Sequence, residues 1–253
     1  MIVSVHQPHY LPWLGYFDKI DSADTFVLLD TVQYEIRGWQ NRNRIKTANG
    51  EHWLTVPVKH EFDSPIRDVA IDNSWRWAKK HMTTIRMSYS KTPWFSRYAE
   101  SLETIYAGTW DYLVDLTADM LNLFVRELGI GTAILKASSM GELDGEPNER
   151  IARLVAEAGG DTYLSGPGAR EYYIEEPFKK RGIRVVFQDF DSAPYSQLYG
   201  DFIPNLAVID SLFNLGAEGT MDILRKGRRT VLQIFLRWAL TRMTSSSAAA
   251  VRS

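Results

Sequence analysis

The chain opens with Met1-Ile2-Val3-Ser4-Val5-His6-Gln7-Pro8-His9-Tyr10-Leu11-Pro12. Residues 1–5 are mostly apolar, as in a short buried strand, and Pro8 and Pro12 end that strand because proline lacks the backbone N–H and fixes φ. Residues 15–20 then have a helical pattern. The side chains between strand and helix therefore lie at the carboxyl end of a strand, where open parallel sheets bind their ligands.

The rest of the chain alternates between strand and helix patterns. Residues 25–30 form a continuous apolar run, which is typical of a buried parallel strand. The run ends in the carboxylate of Asp30. Further strands are predicted at 133–137, 162–164 and 184–188, and further helices at 147–158 and 178–181. The sequence thus predicts an α/β fold with a mostly parallel sheet flanked by helices.

Two additions to this sheet are predicted. Three successive helical patterns between residues 74 and 129 indicate an inserted helical subdomain. The polar and basic residues 37–46 lead through the turn signal Asn49-Gly50 to the strand-like residues 53–58. This pattern predicts a β-hairpin arm.

Composition narrows the class of protein. The chain has 253 residues, a formal net charge of -2 and no cysteine. Such a balance offers no broad basic surface for nucleic acid, and the lack of cysteine excludes disulfides and thiolate-bound metals. The amino terminus lacks the pattern of an export signal, so we expect a cytoplasmic protein. We also expect a single domain over 1–243 and a disordered tail over 244–253, because the tail has little apolar surface.

A basic and then apolar stretch covers residues 225–243. It is too short to span a bilayer, which takes about 20 apolar residues. We favour a terminal helix docked on the core or on a second subunit. Peripheral attachment to a membrane surface through the basic flank stays open as the alternative.

Candidate catalytic residues lie at the predicted strand ends. His6 can act as a general base, since an imidazole with a pKa of about 6.5 exchanges protons near neutrality. The alternative is a histidine whose ring nitrogens bond to the turn backbone. Asp30 ends the next strand and can orient His6 or bind a ligand, or else cap the following turn. His6 and His9 without a third ligand make an incomplete metal site, so we expect no metal and no cofactor.

Several polar residues are predicted to contact the substrate. Residues 42–43 offer donors suited to phosphate or carboxylate, although a solvated hairpin arm explains the charges equally well. Ser165-Gly166 opens a small-residue loop whose backbone N–H groups can approach an anion. Asp210 and Asn214 share one helical face and either line the crevice or bond to a neighbouring loop. The predicted substrate contacts are Gln7, Tyr10, Gln33, Arg42, Asn43, Ser165, Gly166, Asp210 and Asn214.

Three blocks of the chain resemble the WbqC-like protein family. They are Gln7-Pro8-x-Tyr10-x-Pro12-Trp13-x-Gly15-Tyr16-Phe17, then Leu29-Asp30-x-Val32-Gln33-Tyr34 with Trp39-x-Asn41-Arg42-Asn43, and finally Tyr163-Leu164-Ser165-Gly166 with Phe202-x-Pro204-Asn205 onward to Gly216. The resemblance implies a small-molecule enzyme, a transferase, of bacterial surface-polysaccharide or secondary-metabolite pathways.

The residues and the resemblance together favour acyl or aminoacyl transfer to a sugar or amine. The expected partner is a small-molecule substrate, either a nucleotide-sugar or a thioester of coenzyme A or of a carrier protein, and no nucleic acid. Two alternatives stay open. One is a non-catalytic binding or assembly module for a carrier protein or pathway enzyme. The other is adenylyl or nucleotidyl transfer, since His6-x-x-His9 weakly resembles the paired histidines of adenylyl-transferring α/β folds.

Overall fold

The computed structural model describes residues 1–141 and 145–229. The strands in these ranges are β1 (Ile2–His6), β2 (Thr25–Leu28), β3 (Arg42–Thr47), β4 (Gly50–Thr55), β5 (Val58–Lys59), β6 (Ala70–Ile71), β7 (Ala133–Lys136), β8 (Thr162–Ser165) and β9 (Arg184–Phe187). The α-helices are α1 (Leu14–Asp21), α2 (Trp77–Tyr89), α3 (Phe95–Ala107), α4 (Leu113–Glu127), α5 (Pro147–Glu157), α6 (Glu176–Lys179) and α7 (Val208–Gly227).

A parallel sheet with strand order β7-β2-β1-β8-β9 lies at the centre of the described residues. The chain moves outward from β1 through β2 to β7, and then crosses back to place β8 on the other side of β1. The strand order therefore reverses between β1 and β8. This is the topological switch point at which open α/β sheets form their ligand crevice.

The two faces of the sheet are covered by different helices. Val3 and Val5 of β1 pack in one apolar cluster with residues of α5 and with Phe178 of α6. The other face packs against α1, and there the ring of His6 lies 5.0 Å from the ring of Tyr16. This alternation is what a strand requires, since successive side chains point to opposite faces. The α/β prediction, with helices on both faces of a parallel sheet, is confirmed.

The predicted helical insertion contains α2, α3 and α4, and its apolar residues join the larger of the two clusters together with α1 and α7. The predicted hairpin is the antiparallel pair β3–β4, in which Arg42 is aligned with Thr55 and Thr47 with Gly50. Gly50 has a φ of +93°, which allows the tight turn that glycine favours.

Helix α7 packs against α1, α3 and β3 and is broken at Gly216, which has a φ of 72° and a ψ of -179°. A Cβ at this position would lie 2.8 Å from the indole of Trp94. The break therefore needs glycine for two reasons, its backbone conformation and the close approach of a ring.

The described chain ends shortly after α7. Arg228 pairs there with Asp18 and Asp21 of α1, at 2.5 Å in each case, and so fastens the end of α7 to the first helix. The predicted terminal helix beyond residue 229 and the tail 244–253 lie outside the described residues.

Candidate functional site

The carboxyl ends of β1 and β8 bring two of the predicted segments together. His6 ends β1 and Ser165 ends β8, and the strands are neighbours, with Ser4 aligned with Leu164. Gln7 and Gly166 follow directly. The bend at His6-Gln7 and the corner at Ser165-Gly166 therefore meet at the switch point.

His6 is half-buried and bonds to its own turn. Its Nδ1 lies 3.1 Å from the backbone oxygen of Gln7. Because a carbonyl oxygen only accepts hydrogen bonds, we assign the proton to Nδ1, which leaves the lone pair on Nε2. Burial lowers the pKa of His6 well below its ordinary value, and the nearby Lys19 and His9 lower it further. The ring is therefore neutral at pH 7, with its lone pair on Nε2.

His9 stands beside His6 on the same side of the sheet. The two ring centroids are 4.8 Å apart in an edge-to-face arrangement, and His9 lies 5.0 Å from Tyr16. Burial, with a contribution from Lys19, lowers the pKa of His9 to about 3. The hydroxyl of Tyr16 donates to the backbone oxygen of Gln7 at 2.9 Å, which fixes the turn beneath both rings.

Lys19 completes this group, and the sequence analysis did not identify it. Its side chain on α1 is only 2% exposed, and its Nζ donates to the backbone oxygen of Val5 at 3.3 Å. A Cβ on Gly166 would lie 3.8 Å from the same Nζ. Burial lowers the pKa of Lys19 to about 7, although Asp18 acts in the opposite direction. Lys19, His6 and His9 are called the basic cluster below.

A cavity of about 300 Å³ opens on the opposite face of the sheet, at the same edge. Its lining is mostly apolar and aromatic and includes Val5, Leu29, Tyr163, Tyr172, Tyr173 and Phe178. Gln7 and Ser165 also line it. Since Gln7 directly follows His6 and Ser165 directly precedes Gly166, the cavity and the basic cluster border on the same two turns.

The sequence analysis suggested that Asp30 orients His6, but the hydrogen bonds of Asp30 go to a different turn. Its carboxylate accepts hydrogen bonds from the backbone N–H of Ser138 at 2.9 Å and from the Ser138 hydroxyl at 2.6 Å. Asp30 therefore ties the end of β2 to the turn after β7. These bonds match the capping alternative, although the capped turn follows another strand.

Two residues predicted to contact the substrate hold the first loop in place instead. The hydroxyl of Tyr10 is completely buried and bonds to Nδ1 of His81 at 2.8 Å and to the hydroxyl of Tyr106. Asn43 donates to the backbone oxygen of Leu11 at 2.7 Å. Both residues join the loop after β1 to distant parts of the chain, and their contacts favour structural roles.

Arg42 of the hairpin and Gln33 before it both contact other parts of the protein. The guanidinium of Arg42 lies over the ring of Trp53 at 4.4 Å and donates to the backbone oxygen of Arg37. Gln33 is exposed and donates to the backbone oxygen of Phe62 at 2.8 Å. The expectation that Arg42 and Asn43 hold the substrate anion therefore finds no support in their contacts.

Asp210 and Asn214 share a face of α7, as predicted, but bond within the protein. The fully buried carboxylate of Asp210 accepts hydrogen bonds from the hydroxyls of Tyr89 and Tyr195, each at 2.8 Å. Burial raises the pKa of Asp210, and these bonds oppose the shift. Asn214 donates to the backbone oxygen of Asp210 at 2.7 Å. Neither residue lines the cavity at the switch point.

Two further observations concern metals and membranes. Within residues 1–141 and 145–229, no three side chains of the histidine, cysteine or carboxylate type come together as a metal site would require. In the same ranges, no helix combines the length and apolar character needed to cross a membrane.

The fold defines an α/β protein with a parallel sheet and a cavity at the carboxyl ends of β1 and β8. Residues 7–222 match the model of the WbqC-like protein family, and the chain belongs to that family. An uncharacterised protein of Mycobacterium tuberculosis (strain ATCC 25618 / H37Rv), Rv1507c, is 40% identical over 231 residues, which cover 90% of this chain and 99% of that protein. No solved structure matches the chain.

Proposed function

We propose that this protein is a transferase that moves an acyl or aminoacyl group onto a sugar or amine, in surface-polysaccharide or secondary-metabolite biosynthesis. The observation that carries the proposal is the apolar, aromatic cavity that borders on the same turns as the neutral imidazole of His6. An acyl group needs an apolar pocket, and the acceptor needs a base at the edge of that pocket.

In this acyl transfer, His6 and the backbone near Gly166 each have one role. The acceptor hydroxyl or amine attacks the thioester carbonyl, and Nε2 of His6 takes its proton as the new C–O or C–N bond forms. The C–S bond then breaks, and the proton returns to the leaving thiolate. Backbone N–H groups near Gly166 are suited to receive the negative charge that develops on the carbonyl oxygen.

The test is thiol release from acyl-coenzyme A thioesters in the presence of amino sugars and sugar nucleotides. Because the chain has no cysteine, a colorimetric thiol reagent reports released coenzyme A without background from the protein. We expect His6→Ala to lower the rate by about 10²–10⁴-fold, the usual contribution of a general base. His52→Ala, at an exposed histidine, serves as the matched control and should retain the full rate. Equal rates for the two variants would contradict the role of His6.

Adenylyl transfer is a second candidate, favoured by the 4.8 Å approach of the His6 and His9 rings at a strand end. It predicts pyrophosphate release from ATP that both His6→Ala and His9→Ala abolish. A non-catalytic binding module predicts neither activity. In that case, thermal unfolding would not respond to acyl-coenzyme A, sugar nucleotides or ATP, whereas a ligand at 100 times its Kd stabilises a protein by about 2.7 kcal/mol.

A further inference from the structure

The side chain of Lys19 is buried, and it forms no ion pair with any residue that the structure describes. Its ammonium has one hydrogen bond among the described residues, to the backbone oxygen of Val5. The neighbouring Asp18 is engaged elsewhere, since its two carboxylate oxygens bind Nε2 of Gln188 at 2.7 Å and Nε of Arg228 at 2.5 Å. An ammonium taken out of water normally has a paired anion, so this position is costly unless something else supplies the charge.

Two imidazoles that are neutral at pH 7 stand near Lys19. His6 and His9 are half-buried residues, and Lys19 contributes to the lowered pKa of both rings. Asp18, His6 and His9 are the titratable groups that interact with Lys19. Gly166 leaves open space beside the ammonium, with only its own hydrogen where a side chain would stand.

We propose that Lys19 and His9 bind a phosphate group of the substrate, on the face of the sheet opposite the apolar cavity, and that His6 keeps its role as the base. The assignment rests on the proposed function for the cavity at the same edge, and it specifies the substrate as a phosphorylated compound such as a nucleotide-sugar. A phosphate on the basic cluster and an acyl or sugar group in the cavity would then meet over the turns at Gln7 and Gly166.

Phosphate fits the cluster better than other ligands. A carboxylate is usually bound by the planar fork of an arginine, and the cluster holds none, whereas lysine binds phosphate as a point charge. A divalent metal would be repelled by the ammonium and has only two imidazoles to bind. A phosphate monoester carries nearly two negative charges at pH 7, more than enough to compensate the ammonium of Lys19, and a neutral imidazole can donate a ring N–H to it.

Binding should be coupled to proton uptake. Lys19 is about half-protonated near pH 7 in the free protein, because its pKa is about 7. A bound phosphate favours the charged ammonium and raises that pKa. At about pH 8 the complex therefore takes up a proton from solution, and phosphate affinity should fall as the pH rises above 7.

The experiment is isothermal titration of the full chain with uridine diphosphate and, separately, with inorganic phosphate. Each titration is run at about pH 8 in two buffers with different ionisation enthalpies, which gives the number of protons taken up. We expect Lys19→Met to weaken uridine diphosphate binding by about tenfold or more, as loss of a charge-assisted hydrogen bond does, and to abolish proton uptake. His9→Asn should weaken binding as well.

Lys46→Met is the matched control. Lys46 is as deeply buried as Lys19, at 2% exposure, but its ammonium already binds Gln197, Gly200 and Asp201. Its variant should lose stability and keep the wild-type affinity and proton uptake. Equal affinity of wild type and Lys19→Met, or no binding of either probe by wild type, would overturn the phosphate assignment.

Turnover decides the proposed function separately. Lys19-dependent binding without thiol release would keep the phosphate site and refute acyl transfer. Thiol release with unchanged binding in Lys19→Met would keep acyl transfer and refute the phosphate site.

Discussion

At the scale of single residues, Lys19 and Lys46 differ in how their ammonium groups are satisfied within the described residues. Lys46 and Lys19 are equally buried, but Lys46 binds three acceptors and Lys19 binds one backbone oxygen. Buried polar groups are normally satisfied, so an ammonium left short of acceptors lowers stability. Such sites persist where function requires them.

This difference predicts that Lys19→Met stabilises the free protein. The pKa of Lys19 is lowered to about 7 in the folded state, far below its value in an unfolded chain. The ammonium therefore opposes folding below about pH 10, and the effect is complete below about pH 7. We expect the variant to gain on the order of a few kcal/mol at pH 6 and little at pH 10, measured by urea denaturation. A loss of stability at pH 6 would show that the ammonium is well compensated.

Asp30 gives a second prediction at this scale. If its carboxylate serves only to bind Ser138, then Asp30→Ala costs about 1–3 kcal/mol, the penalty for leaving a buried donor without its acceptor. Ser138→Ala should cost less, and the double variant should cost less than the sum, because both changes remove the same bonds. Denaturant titration of the four proteins measures this coupling. Additive losses, or a changed pH profile of turnover in Asp30→Ala, would restore a role in the site.

At the scale of elements, the break in α7 is a requirement of packing. Gly216→Ala would force a side chain into a backbone conformation that only glycine adopts readily and place a Cβ 2.8 Å from the indole of Trp94. We expect a loss of about 2 kcal/mol or more in the free energy of unfolding.

Gly131→Ala is the control for that measurement. Gly131 has no atom within 4 Å of its would-be Cβ and no positive φ, so this variant should be close to neutral. If Gly216→Ala and Gly131→Ala unfold at the same denaturant concentration, the packing requirement at Gly216 is refuted.

The ion pair between the end of α7 and α1 belongs to the same scale. Arg228→Met leaves the buried Asp18 without its cation, which costs about 3–5 kcal/mol at pH 7. Burial already raises the pKa of Asp18, and removal of Arg228 should raise it further. The deficit is therefore present at neutral pH and shrinks as the pH falls through that pKa.

Arg229→Met is its control, because Arg229 pairs with Asp191 in an exposed position. Exposed pairs contribute at most about 1 kcal/mol, so this variant should unfold close to wild type. Urea titrations at about pH 7 and about pH 4.5 compare both variants. A deficit for Arg228→Met that grows towards acid pH would contradict the account.

At the scale of the whole molecule, periodicity and proline positions were enough to predict the strands, the inserted helices and the hairpin. They also predicted that His6-Gln7 and Ser165-Gly166 lie at strand ends. They could not predict that β8 pairs with β1, because that contact joins segments about 160 residues apart. The switch point, and with it the location of the site, therefore became visible only in the folded chain.

The contacts of three predicted site residues share one physical origin. Tyr10, Asn43 and Asp210 are polar residues in apolar surroundings, which is also how binding residues look in a sequence. Their partners are distant in the chain, as with His81 for Tyr10 and Tyr89 for Asp210. Lys19 escaped notice for the opposite reason, since a lysine on a helix is usually solvated. The structure shows why Lys19 is an exception, since seven of the eight residues of α1 are buried and the helix has no exposed face for a charge.

The measurement that tests the central claim most directly is a crystal structure of the protein with uridine diphosphate. We predict a phosphate group within about 3 Å of Nζ of Lys19, with a ring nitrogen of His9 among its contacts. A nucleotide bound instead on the exposed tryptophans of the hairpin, with the ammonium of Lys19 still facing only the backbone of Val5, would contradict the assignment of the site to the carboxyl ends of β1 and β8.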